Sequence, residues 1–378
     1  MKKILMLFIF IFVAVIATTS TYAATYVSIE LPDDFDWVGP DVNILKNEEG
    51  YFTDLDVTDY KVNVSGITMY VSKDGSDTTG DGSELTPYLT IDKAITMGAE
   101  TIYVDSGWYN YVENFINFTP YDGIEVNIIG LDSDVYLTRD KELDPSVFSL
   151  SSTREYTYEY TYESIGSFMQ IFDRSALDEN GGFKKYTEVE SINEVEATPG
   201  SYFKDLNTTT FYIHMLDGLA PDTDLYIDMA SSLLNIKNST VYLENLHLYG
   251  GTYTVLSDNS NIYAKNVEFA YSQESGLKSY ASRSIIVDSV ANYNAWDGFS
   301  YGNPYASSAL VWAIEVDNTA SYNGLDDPDN LQNGSSLHQN ARIIRINGEY
   351  SYNKGPNVHD IGESQSVNYG TTAHHSLA

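Results

Sequence analysis

The 378-residue chain has no cysteine and only 20 Lys+Arg against 54 Asp+Glu. Without cysteine there is no disulfide framework, no thiolate nucleophile, no thiolate metal site and no lipidated amino-terminal cysteine. The scarcity of positive charge leaves a formal net charge of −34. That excludes nucleic acid as a partner, because phosphate binding needs a basic footprint, and it excludes an anionic membrane surface for the same reason. Beyond the first residues no apolar run is long enough to span a bilayer. What the chain has in excess is tyrosine, 32 residues, within a composition that is 43% hydrophobic. That is enough to build a core despite the charge.

Lys2 and Lys3 precede an apolar run from Ile4 to Ile16, and Thr21-Tyr22-Ala23-Ala24 follows. A charged start, a run short of the ~20 residues of a membrane span, and small residues after it predict a signal peptide over 1–23. The competing reading is an uncleaved anchor. Once the signal is cleaved, the protein is expected to be secreted or at the cell surface with no membrane insertion. Residues 24–65 form an acidic lead-in. Leu31-Pro32-Asp33-Asp34 and Gly39-Pro40 make it extended, with one or two strands.

Sharper order begins in 66–144. Thr68-Met69-Tyr70-Val71-Ser72 reads as a strand and is followed by a Gly/Asp loop containing Asp74, Asp77 and Asp81. Thr90 to Gly98 places Ile91, Ala94 and Ile95 on one helical face, with Thr90 as N-cap and Gly98 as terminator. Thr101–Val104 and Val126–Ile129 are further strands. Residues 145–232 break this pattern. Arg154 to Glu163 alternates polar and aromatic residues, and 198–214 reads as a hairpin, so the segment is an inserted β-rich module.

In 233–378 the chain repeats. Val241–Asn245, Ile262–Asn266, Ile285–Ser289, Ile314–Asn318 and Ile343–Asn347 are alike, their ends 21, 23, 29 and 29 residues apart. Second steps follow at Asn292-Tyr293-Asn294, Ser321-Tyr322-Asn323 and Ser351-Tyr352-Asn353. Third steps are headed by Gly276, Gly298 and Asn357. Three short strands per unit predict coils of a parallel β-helix, with Asn245, Asn266, Asn318 and Asn347 forming an amide ladder that Ser289 interrupts. A sandwich or propeller is the alternative, but neither explains this register. No carboxyl-terminal cap is legible, so self-association through an uncapped carboxyl-terminal end is expected.

Tyr70-Val71-Ser72, Gly75, Asp77, Asp81-Gly82, Thr86-Pro87-Tyr88, Thr90-Ile91 and Lys93-Ala94-Ile95 together resemble the amino-terminal segment of secreted proteins in the pectate-lyase-like superfamily. The resemblance implies an all-β, right-handed parallel β-helix with an amino-terminal capping helix and a hairpin insertion. It also implies a polysaccharide or cell-surface glycan as partner.

On such a fold, outward residues of successive coils line a groove. The third steps align Lys278, Ser300, His338 and His359, with Asp297, Asp360 and Arg342 close in sequence. A Lys or His beside Asp suits a general base, and Arg suits an anionic substrate. The alternative is a solvated sheet face. The segment from Asn292 to Tyr301 looks like the Asp-Gly-aromatic part of a calcium-dependent lyase coil, with Asn294 and Ser300 where further Asp is wanted; Trp296, Ser300, Tyr301 and Asp360 are the candidate substrate contacts. Only Asp297 in it is acidic. Calcium candidates are Asp77 and Asp81 in the Gly-rich loop, and Asp326, Asp327 and Asp329 in a later loop. Turn-capping carboxylates are the simpler account of the first pair.

Two functions follow. One is a carbohydrate-active lyase, hydrolase or epimerase. The other is a non-catalytic adhesin, glycan-binding or structural protein of a cell surface or virus. The signal peptide gives a direct prediction: expression in a secreting host yields medium protein whose amino-terminal sequencing begins at Ala24. A chain retained in the membrane and still carrying Lys2 refutes this.

Overall fold

The computed structural model describes residues 26–62, 65–111, 116–117, 122–141, 144–302, 311–325 and 331–377. The predicted signal peptide and Asp326, Asp327 and Asp329 lie outside them. Among the described residues no helix is long and apolar enough to cross a membrane.

From Thr68 onward the chain winds into a coil with three parallel faces, interrupted by one module. Face A runs from Thr68–Val71 through Thr101–Val104, Glu125–Gly130, Arg283–Val287, Val311–Val316 and Ala341–Ile346 to Gln365–Tyr369. Two long strands, Thr240–Tyr249 and Asn261–Ala270, bend from face A into face B. Face B continues through Val290–Asn292, Thr319–Ser321 and Glu349–Ser351 to Thr372–His374. Face C stacks Leu234–Lys237, Val255–Asp258, Leu277–Tyr280, Phe299–Gly302, Ser335–Leu337 and Val358–Asp360. All of these pairs are parallel. Inward residues of the three faces, such as Leu243, Ala264, Phe269, Leu277, Ile286 and Phe299, make one continuous core.

The corners explain the repeat. Asn245, Asn266, Asp288, Asp317 and Asn347 all have φ between 51° and 55° at the corner from A to B. Asn266 Nδ2 donates to Asn245 Oδ1, and Asn347 Nδ2 to Asp317 Oδ1. The expected ladder therefore mixes two columns. Asp288 and Asp317 stand in the outward row, whereas Ser289 and Asn318 are the next residues and face inward, Ser289 N–H donating to Asn318 Oδ1.

The strongest ladder is at the corner from B to C. There Tyr271, Tyr293, Tyr322, Tyr352 and His375 take positive φ and stack ring on ring, with centroids 5.0–5.5 Å apart. The next residues, Ser272, Asn294, Asn323 and Asn353, point inward. Asn294 and Asn323 each pass a side-chain N–H and a backbone N–H to the following Asn Oδ1. These bonds join residues 29 and 30 positions apart, one coil to the next. Glycine heads the third steps because this ladder is there. A Cβ on Gly298 would sit 2.9 Å from Asn323 Nδ2 and 2.7 Å from the Gly334 carbonyl. The tail is correspondingly ordered: His374 ends a face B strand and His375 closes the ring stack.

Three additions dress the coil. The helix Ile91–Thr96 is capped by Thr90 Oγ1 on Lys93 N–H and buries Ile91, Ala94 and Ile95 in the main core. The acidic lead-in is more structured than its composition suggests. Val27–Ile29, Ile44–Asn47 and Gly50–Thr53 form an antiparallel sheet. Ile44 and Val57 pack on the outward face A row Tyr242, Tyr263, Ile285, Ile314 and Ile344. The lead-in spans the stack, from Asn347 Nδ2 on Tyr51 O to Val62 N–H on Asn127 Oδ1.

The third addition comprises a five-stranded sheet that includes the hairpin of Ser201–Asp205 and Thr210–His214, and a three-stranded sheet built on Phe168–Leu177. It docks on face B through Phe172, Tyr226, Tyr249 and Tyr271. Asp228 crosses that seam, accepting from Gly251 N–H and Gln273 Nε2, and burial pushes its carboxyl up to about 7.

Asn323 lies at the centre of the buried ladder. Asn323→Ala removes the acceptor of the Asn294 backbone N–H and Nδ2 and the side-chain donor to the Ala291 carbonyl. The expected loss is about 2–4 kcal/mol in urea unfolding. Asn266→Ala, in the exposed ladder, costs less than about 1 kcal/mol. Equal losses contradict the assignment.

Candidate functional site on face C

Face C strands alternate inward and outward residues, and the parallel register fixes which stand side by side. Lys278 pairs with Ser300, Ser300 with Ser336, and Ser336 with His359. The expected row is thus corrected at one position. Ser336 occupies it, and His338 lies two residues further along the same strand line. The alternation also removes Tyr301 from the outward row, and Asp360 shares its register but stays exposed at the end of the stack. Tyr301 is fully buried, and burial with the Glu315 charge raises its phenol well above the ordinary value. Asp360 pairs with the buried Arg345 guanidinium at 3.5 Å.

Most of the remaining candidates converge. Lys278 Nζ donates to Ser300 Oγ at 2.8 Å. Ser336 Oγ is 3.0 Å from Ser300 Oγ, 3.0 Å from His338 Nε2 and 2.6 Å from Asp297 Oδ2. Ser336 has one hydroxyl proton, and the short contact to a carboxylate claims it. Ser300 accepts from Lys278 and lies 3.0 Å from Ser336 Oγ, and His338 donates through Nε2–H. The result is a contiguous polar network from the Lys278 ammonium through two hydroxyls to the Asp297 carboxylate. Asp297 Oδ1 also accepts from Asn333 N–H at 2.8 Å and Asn333 Nδ2 at 2.9 Å. Asn333, like Ser336, was not legible as a site residue. Counting coils from Gly298 to Gly334 would have found Ser336.

The centre of this network is covered. Ser300 and Ser336 have no exposure and Asp297 has 5%, so the expected shallow open row is closed over its middle. Lys278, His338 and His359 remain partly exposed around it. Burial lowers the Lys278 pKa, opposed by the charges of Asp297 and Glu274. Burial likewise lowers that of His338, helped by the Lys278 charge.

Other candidates lie elsewhere. Arg342 is on face A, donating to the Ala341 and Glu363 carbonyls, 3.8 Å from Asp36 of the lead-in. Trp296 is 39% exposed on the loop that carries Asp297. Asp77 accepts from Leu89 N–H, Thr90 N–H and Thr90 Oγ1, and Asp81 from Ser83 N–H and Thr86 Oγ1. Those carboxylates hold the loop together through hydrogen bonds to its own backbone and hydroxyls. Among the described residues no group of three or more His, Asp or Glu is placed to hold a metal.

The charge balance gives a prediction. Lys278 titrates below the ordinary lysine value of about 10.4 in carbon-detected NMR. Asp297→Asn moves it lower still, because the lost carboxylate charge no longer favours the ammonium. A Lys278 that titrates normally, or rises in the variant, contradicts the network.

No family model matches the chain, and no curated protein matches it. Among solved structures, a glycoside hydrolase aligns at 9% identity over 81% of this chain and 80% of its own, with a TM-score of 0.54. XylC, solved with xylose, aligns at 11% identity over 80% of this chain and 70% of its own, with a TM-score of 0.43. Pectate lyase Pel9A aligns at 13% over 76% and 63%, with a TM-score of 0.32. The likeness to the glycoside hydrolase is one of fold alone, a coil with parallel faces.

Proposed function

We propose that the protein is a secreted carbohydrate-active enzyme working on face C, with Lys278 as general base. We take the coil to wind right-handed, as parallel crossovers do, and the helix Ile91–Thr96 to close its amino-terminal end. The observation that carries the proposal is the continuous bond chain Lys278–Ser300–Ser336–Asp297. A lysine held partly neutral by burial can accept a proton from a sugar carbon or hydroxyl. The resulting ammonium is held by Ser300 and by the nearby Asp297 charge, and it returns the proton to the leaving oxygen or to solvent, which regenerates the neutral amine. With Arg342 remote, an anionic sugar would rely on Lys278 and His359. Proton abstraction of this kind suits a lyase or epimerase more than a hydrolase, which needs two free carboxyls.

One observation favours a non-catalytic glycan binder. Asp297 already accepts three hydrogen bonds, a saturation typical of a positioning carboxylate. Turnover separates the two readings. On a panel of acidic and neutral polysaccharides, read by unsaturated products and reducing ends with and without calcium, the wild type is expected to act on at least one. Lys278→Ala should lower kcat by ~10²–10⁴-fold. The rate should climb with pH through the lowered Lys278 pKa and then level, because the neutral amine is the active form. No turnover on the panel with glycan binding retained establishes the binder. Neither turnover nor binding overturns the carbohydrate reading altogether.

A further inference from the structure

A second feature lies where the module meets face B. It is a cavity of about 570 Å³, lined by Trp108, Tyr136, Tyr249, Asp140, Arg174 and Asp224, with Asn110 among the other wall residues. That volume falls within the ~300–1,000 Å³ of ordinary small-ligand sites. Register explains the aromatic wall, since Trp108, Tyr136 and His247 are neighbours on successive face B strands. Their rings stack, Trp108 on Tyr136 at 4.2 Å and Tyr136 on His247 at 4.5 Å. The Arg174 guanidinium covers the other side of Trp108 at 4.5 Å and bonds the Thr223 carbonyl. The ring faces are therefore used, and the wall offers ring edges and polar tips.

Two of those tips, Arg174 Nε and the Asp224 carboxylate, have no hydrogen-bond partner among the described residues. Arg174 Nε is buried with no hydrogen-bond acceptor. Asp224 engages through its backbone only: its N–H donates to Asp222 and its carbonyl accepts from Arg174 N–H. Asp140 is 7% exposed and accepts from Thr138 Oγ1. His247, behind the wall, is held by Glu268 at 2.6 Å and the Ser133 carbonyl at 2.8 Å, which fixes Tyr136 from its far side.

We propose that this cavity binds a neutral saccharide unit, in addition to whatever face C holds. The inference rests on the carbohydrate reading for the ligand class, and on the cavity alone for the site. Two carboxylates against one guanidinium make the lining net negative, which disfavours a uronate and suits hydroxyls that both donate and accept. Adjacent sugar hydroxyls can donate to Asp224 and Asp140 and accept from Arg174 Nε, with C–H edges against Trp108 and Tyr249. The unit can be a free sugar or part of a polysaccharide, and separate arms distinguish them.

The test is calorimetric titration of the whole protein with neutral mono- and disaccharides, uronic acids and intact polysaccharides. Asp224→Ala and Asn110→Ala are measured beside Lys278→Ala, each checked for an unchanged melt, so that a failure of one cavity variant to fold leaves the other. The expected result is neutral-saccharide binding weakened at least tenfold in both cavity variants, with neutral sugars above uronates, while Lys278→Ala reports separately on face C. Binding that only Lys278→Ala weakens, or a preference for uronates that the cavity variants leave intact, overturns this site and leaves the carbohydrate reading standing. No binding to any saccharide overturns both.

Discussion

Each coil must turn three times, and each turn leaves a backbone N–H facing the core with no strand to pair it. The ladder of inward Ser and Asn side chains at the corners meets that need, and the rest of the structure depends on it. A non-glycine residue in the left-handed region costs roughly 1–2 kcal/mol. An unsatisfied buried amide costs about 1–3 kcal/mol. Placing Tyr293, Tyr322 and Tyr352 in that region is therefore offset once Asn294, Asn323 and Asn353 follow them inward and the rings stack outside. The same ladder forces glycine at 298 and 334, which lets the coils close up. That brings Ser300 and Ser336 within a hydrogen bond of each other.

The three faces have different fates. The lead-in covers the apolar outward row of face A. The module covers part of face B and leaves the aromatic cavity at the seam. Face C holds the linked ionisable groups. The acid excess lies chiefly in the lead-in, module and turns, so Lys278, His338 and His359 form a locally less negative patch on a strongly acidic protein. Inside, the core becomes polar toward the last coils. Ser335 bridges Glu315 and Arg345, and Tyr350 bonds Glu315. These groups are fully buried, and their mutual hydrogen bonds offset part of the desolvation cost.

Much of this architecture was legible. The Ser/Asn-Tyr-Asn triplets and the glycine-headed third steps are local signatures of corners, and Thr90 with Ile91, Ala94 and Ile95 marks a helix. The column positions were not, because a corner is two residues wide. An Asn before it points out and an Asn after it points in, so Asn266 and Asn318 look alike in sequence but stand in different rows. A two-residue slip along the strand put His338 in place of Ser336, and the one-residue ambiguity put Tyr301 in the outward row. The apolar side of the lead-in escaped notice because Ile44 and Val57 are sparse among acids. Their partners are distant outward tyrosines and isoleucines of the coil, which read as ordinary strand residues. The Trp108, Tyr136 and His247 stack had no sequence signal, since its members meet only through the register.

The central claim is that the Lys278–Ser300–Ser336–Asp297 chain is where sugar is handled. A crystal structure of Lys278→Ala, soaked with an oligosaccharide of the polysaccharide that the wild type acts on or binds, tests it most directly. The account predicts sugar density across face C, with one ring facing the space vacated at residue 278 and within reach of His338. Well-ordered sugar found elsewhere on the protein, with face C carrying solvent alone, would contradict it.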